Sequence, residues 1–153
     1  MSNKEEQELK ENQWATFYLE NELYGVDVLK TKEVLQYQEP TPIPGSAFYN
    51  EGVINLRGNV ITIISLRKLM GIDNKNNTKE SRIIVVNSDN KNLFGFLVDQ
   101  VEDVKTIQDN KIDPNPSLKS KTIEKQFFYG ITMEKERLIL LLDLNKVFEQ
   151  IIS

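Results

Sequence analysis

The sequence predicts a mostly β protein assembled from two similar halves. Three observations point there. From Trp14 onward, short apolar runs alternate with turn residues, none of them long enough for an ordinary helix. Helical signals are confined to two brief stretches. The chain also resembles itself when shifted. Leu23-Tyr24-Gly25-Val26-Asp27-Val28 falls on Leu93-Phe94-Gly95-Phe96-Leu97-Val98, 70 positions on, and Val60-Ile61-Thr62-Ile63-Ile64 falls on residues 138–142, 78 positions on.

Taken in order, residues 14–19, 23–28, 52–56, 60–64, 82–86, 93–98 and 137–142 are rich in Val, Ile, Leu and aromatics and predict strands. Glu20-Asn21-Glu22 and residues 87–92 predict the turns of two hairpins, with antiparallel pairing across each. Residues 65–70, stopped by Gly71 as a C-cap, and residues 144–152 predict short helices. The prolines cluster in 40–45 and 113–120, which predict loops. Residues 1–13 are polar and charged and predict a flexible tail, leaving 14–153 as the folded domain.

The repeat extends beyond its two clearest blocks. Glu33-Val34 falls on Asp103-Val104 at the first shift; Gly52-Val53 falls on Gly130-Ile131, and Ser65-Leu66-Arg67-Lys68-Leu69 on Asp143-Leu144-Asn145-Lys146-Val147, at the second. The shifts differ by eight, which places an extra loop between the blocks. Copies of about 70 residues with about five strands each predict two small barrels packed side by side, since closure removes exposed sheet edges. The approximate halves are 14–80 and 81–153, with an exchange of strands between them left open.

Composition then excludes most chemistry. The 153 residues are enough for a sizeable core without a staple. There is no Cys and no His, so disulfides, thiolate nucleophiles, zinc-thiolate sites, imidazole ligands and His general bases are all excluded. Ser46, Ser65 and Ser81 have no His to activate them, and no phosphate-binding glycine loop or EF-hand spacing occurs. An enzyme, a metal and a cofactor are therefore not expected. The longest apolar run, residues 138–142, is far short of a membrane span, and the polar N-terminus lacks a signal core, so a cytoplasmic protein is expected. With 19 Lys and Arg against 23 Asp and Glu, the net charge of -4 offers no footprint for phosphate. The aromatics fit a core better than a base-stacking surface. A generic protein-binding barrel and an OB-like nucleic-acid binder remain the alternatives.

Gly25, Gly52, Gly58, Gly95 and Gly130 predict turns, bulges or close backbone approach. Arg57, between Leu56 and Gly58, predicts a planar five-donor group at a hairpin tip.

The run Gly52-Val53-Ile54-Asn55-Leu56-Arg57-Gly58 followed by Ile63-Ile64-Ser65-Leu66-Arg67 resembles the signature of the bacterial chemotaxis coupling proteins, the CheW-like family, which includes the regulatory domain of the kinase CheA. Tyr24-Gly25-Val26-Asp27-Val28, Glu33-Val34, Pro42-Ile43-Pro44, Gly95 with Val98-Asp99, and Val101 to Val104 support the match, which covers residues 14–150. The resemblance implies a pair of five-stranded SH3-like barrels and a non-catalytic adaptor. Its implied partners are the cytoplasmic tip of transmembrane chemoreceptors and CheA, with recruitment to the inner face of the membrane through receptor arrays. A kinase or a receiver fusion needs further regions, so the length predicts the adaptor alone. The implied receptor-facing residues are Glu33, Gly52, Asn55, Arg57 and Gly130, with Glu33 and Arg57 paired. Kinase-facing candidates are Val98, Asp99, Val101 and Asp103. The chain departs from the family pattern at Ser65, where Asp is usual, while the second copy has Asp143; Ser also caps helices well.

Overall fold

The computed structural model describes residues 10–114 and 125–152. Among the described residues ten strands and two α-helices follow one another: β1 (Glu11–Leu19), β2 (Glu22–Asp27), β3 (Thr31–Gln36), β4 (Asn50–Leu56), β5 (Asn59–Ser65), α1 (Leu66–Leu69), β6 (Arg82–Asn87), β7 (Leu93–Val98), β8 (Gln100–Gln108), β9 (Phe128–Glu134), β10 (Arg137–Leu142) and α2 (Leu144–Ile152). They form two five-stranded sheets with strand orders β8-β1-β2-β10-β9 and β3-β6-β7-β5-β4. Below these are the first and the second sheet.

The order exposes an exchange. Each sheet takes strands from both copies of the repeat: β1 and β2 leave the first copy to join β8, β9 and β10, and β6 and β7 leave the second to join β3, β4 and β5. The division of the sequence near residue 80 therefore does not divide the sheets. Of the four pairings between the copies, β2 with β10 and β5 with β7 are parallel and β1 with β8 and β3 with β6 antiparallel, whereas every pair within a copy is antiparallel. Short turns allow only antiparallel hairpins, and parallel neighbours need a longer route through the chain, which the exchange supplies.

The predicted strands and helices are present, but β3, β8 and β9 are additional, and β1 begins at Glu11. Residues 11–13, expected in the tail, pair with Gln108, Ile107 and Thr106. Residues 1–9 and the part of the proline loop at 115–120 lie outside the described residues. The three unforeseen strands all lie on sheet edges. Edge strands pair on one side and face water, so β3 carries Lys32 and Glu33 and β8 carries Glu102, Asp103 and Lys105, which obscures the apolar period.

In each sheet one edge strand makes an isolated bridge to the segment that follows the other edge strand, placed equivalently in the two copies. Thr41 exchanges both backbone hydrogen bonds with Val53 (2.9 and 2.9 Å), and Asp113 with Ile131 (2.8 and 2.9 Å). Gly52 and Gly130, the residues just before those partners, permit the approach. A Cβ on Gly52 would lie 2.1 Å from the Thr41 carbonyl oxygen, and one on Gly130 would lie 2.7 Å from that of Asp113.

Three apolar clusters result. Trp14, Leu23, Ile107, Ile139 and Leu141 fill the first sheet; Ile54, Ile61, Ile63, Ile83 and Val85 fill the second. The largest cluster, including Phe17, Tyr24, Ile64, Phe96, Leu140 and Phe148, draws on both sheets and α2. This shared core holds the sheets side by side. At the start of α1, Ser65 Oγ accepts a hydrogen bond from Lys68 N (3.2 Å), so serine does the capping its position requires.

Candidate functional site

The β4–β5 hairpin turns in two residues, Arg57 (φ 49°) and Gly58 (φ 87°), between the paired Leu56 and Asn59. Both central residues adopt positive φ, which suits the right-handed twist of the flanking strands. Asn55 Oδ1 accepts from Gly58 N (2.9 Å) and stiffens the tip. Arg57 Nη2 donates to Glu33 Oε2 on β3, joining the two edge strands of the second sheet at one end. The side chains are 68% and 34% exposed, so the pair contributes at most ~1 kcal/mol to stability and serves to orient the guanidinium.

At the equivalent end of the first sheet the chemistry differs. Leu35 and Leu56 of the first copy correspond to Lys105 and Glu134 of the second, whose side chains pair at 2.9 Å. Glu102 on β8 accepts from Tyr18 OH (2.8 Å) and from Arg137 Nη2 (2.9 Å), and Arg137 Nη1 donates to the Tyr18 oxygen (2.6 Å). Partial burial pushes the Glu102 carboxyl upward, but the hydrogen bonds from Tyr18 and Arg137 and the positive charges of Arg137 and Lys105 outweigh it, leaving its pKa below its ordinary value. The same bond to Glu102, helped by burial, raises the Tyr18 phenol. A carboxylate with a depressed folded pKa adds stability above its unfolded pKa and loses it as pH falls through the folded one. Acid titration of the thermal midpoint is thus expected to show a loss through and below the ordinary carboxylate range, and Glu102→Gln to flatten it. An identical pH profile in the variant would remove the network from this account.

The candidate residues thus separate. Glu33, Asn55 and Arg57 come together at one end of the second sheet. Gly52 and Gly130 are buried at the two edge bridges and offer backbone shape without a side chain. Among the kinase-facing candidates, Val98 is 1% exposed and packs in the shared core. Val101 packs on the same core. Asp99 spends its carboxylate internally, accepting from Arg67 Nε (2.7 Å), Arg67 Nη2 (2.6 Å) and Glu20 N (2.8 Å). Asp103 alone is exposed. Arg67, Tyr18 and Arg137 were not foreseen as sites. A signal existed, since the chain has only four Arg and three of them form ion pairs between distant segments.

Residues 13–151 match the family model described as the CheW-like domain. The chain is 35% identical over 144 residues to the chemotaxis protein CheW of Thermotoga maritima, covering 94% of this chain and 91% of the relative. It is 31% identical over 134 residues to CheW of Bacillus subtilis, covering 88% and 85%. Among solved structures, the scaffolding protein TtCheW from Thermoanaerobacter tengcongensis matches with a TM-score of 0.82 at 36% identity, covering 92% of this chain and 94% of that one.

Proposed function

The chain belongs to the CheW-like domain family, and from that premise we propose that it is a non-catalytic chemotaxis scaffold coupling transmembrane chemoreceptors to the histidine kinase CheA. The observation that carries the reading is that the similarity runs through almost the whole chain, so the motif hairpin at Arg57 and both copies of the repeat fall inside it. Such a protein acts by geometry: it holds one partner against another and turns over nothing. No described helix is long and apolar enough to cross a membrane, which suits a cytoplasmic protein brought to receptor arrays by its partners.

Glu33, Asn55 and Arg57 are assigned to the receptor's cytoplasmic tip, with Gly52 and Gly130 shaping the backbone around the edge bridges. The β8 segment is assigned to the kinase, with Asp103 the exposed side chain among its candidates. The charged network around Glu102 and the apolar Leu35 and Leu56 make the two sheet ends chemically unlike, which favours two partners over one.

Capture of a receptor cytoplasmic fragment and of CheA by the purified chain tests the assignment. Asn55→Trp is expected to lose receptor and keep kinase, at a cost of about 1 kcal/mol from the broken turn hydrogen bond. Asp103→Lys is expected to do the reverse and to melt like the wild type. Loss of both partners in both variants would replace two faces with one composite site.

A further inference from the structure

Two stretches carry the chain from one sheet to the other. Residues 27–31 run from β2 in the first sheet to β3 in the second, and Asp99 joins β7 in the second to β8 in the first. The shift of 70 makes them equivalent, placing Leu29 on Asp99. Their fastenings are not equivalent.

At Asp99 the crossing is held from three sides. Its N–H donates to the Tyr18 carbonyl (3.1 Å), and its carboxylate receives the two-pronged guanidinium of Arg67 and the Glu20 N–H. Arg67 is 5% exposed; it also meets the Glu20 carboxylate at 2.5 Å and donates to the Asp73 carbonyl. One cation therefore joins α1, which follows the second sheet's β5, to the crossing and to the β1–β2 turn of the first sheet. A bidentate Arg–carboxylate pair is directional and strong, and its burial protects it from screening.

At the other crossing the same positions hold Leu29, 85% exposed, and Asn145 on α2, also exposed. The bonds of the turn there are local, Leu29 N to Asp27 Oδ1 (3.0 Å) and Thr31 Oγ1 to the Val28 carbonyl (2.8 Å). The side-chain ion pair that reaches another element, Lys30 with Asp89 at 2.9 Å, has an Asp89 side chain that is 76% exposed, so it holds weakly.

We propose that Arg67 is a positioning residue that pins one of the two crossings, so that the sheets keep a fixed relation there and yield at the Leu29 crossing. Its significance for signalling rests on the scaffold reading, because the angle between the sheets sets the angle between the partner faces. The stiffness itself belongs to the chain alone and is measured without partners.

Native-state amide exchange on the full chain is expected to show the Asp99 and Glu20 amides at least about tenfold better protected than that of Leu29. The absence of cysteine allows spin labels at Lys32→Cys on β3 and Thr106→Cys on β8, both exposed. Pulsed electron resonance is expected to give a narrow inter-sheet distance distribution, broadened about twofold by Arg67→Met and less by Arg67→Lys, which keeps the charge and loses the fork. Transplanting the clamp as Leu29→Asp with Asn145→Arg is expected to narrow the distribution and protect the second crossing, a readout that stands even where Arg67→Met does not fold. Equal protection at the two crossings, or a distribution unchanged by Arg67→Met, would overturn the proposal. Failure to capture receptor or kinase would instead count against the scaffold reading and leave these measurements untouched.

Discussion

Replacing Gly52 by alanine is expected to destabilise the protein by about 3 kcal/mol and to lower its thermal midpoint by roughly 10 °C. Two independent penalties combine. The backbone there has φ 123°, a region that side chains rarely enter. The added Cβ would also meet the Thr41 carbonyl oxygen at 2.1 Å and its carbon at 2.5 Å. Those are backbone atoms, so relief requires breaking the Thr41–Val53 bridge that holds the segment after β3 against β4. Gly45→Ala is the control: its φ is 80° but nothing lies within 4 Å of the new atom, so only the conformational cost of about 1 kcal/mol remains. Calorimetric melts of the two variants decide the matter. A Gly52→Ala midpoint no lower than that of Gly45→Ala would mean that the edge bridge contributes nothing.

Arg57→Glu is expected to weaken receptor capture by roughly 30-fold or more while moving the melt little. An exposed pair carries almost no folding stability, whereas a charged group at a binding centre commonly costs about 2 kcal/mol or more when reversed, and 1.4 kcal/mol is tenfold in affinity. The variant sets two acids against each other at the hairpin tip. Glu33→Arg in the same chain restores opposite charges and is expected to recover part of the binding. Kinase capture, assigned to the first sheet, should be unchanged by either change. A double-mutant cycle on receptor affinity measures the interaction, and a coupling energy of zero would dissociate the Glu33–Arg57 pair from recognition.

The Glu33–Arg57 contact was legible because the family resemblance named both positions and a two-residue turn forces Arg57 to the tip. The Arg67–Asp99 contact was not, although both residues stood in recognised motifs. Their 32-residue separation leaves no local periodicity to read, and either charge alone looks like a solvated surface group. The burial of Val98 was not legible either. Its segment ends a strand and precedes polar residues, which resembles an accessible edge, yet the other half of the molecule covers it. A one-dimensional pattern shows that a strand is apolar on both faces but not what lies on each.

The sequence by itself determined the local structure: seven of the strands, the turns near residues 20–22 and 87–92, the Ser65 cap and Gly71 stop of the first helix, the last helix, and the duplication. Each follows from interactions between residues a few positions apart, where backbone sterics and side-chain spacing dominate. It also determined which chemistry is unavailable, since a chain without Cys or His lacks thiolates and imidazoles. Only the tertiary structure decided that the two copies trade strands, that two of the pairings between them are parallel, and which charges face one another. Those outcomes depend on burying a shared core of Phe17, Tyr24, Ile64, Phe96 and Leu140 drawn from both sheets. The free energy of that burial is a property of the assembled surfaces and has no counterpart in any single stretch of chain.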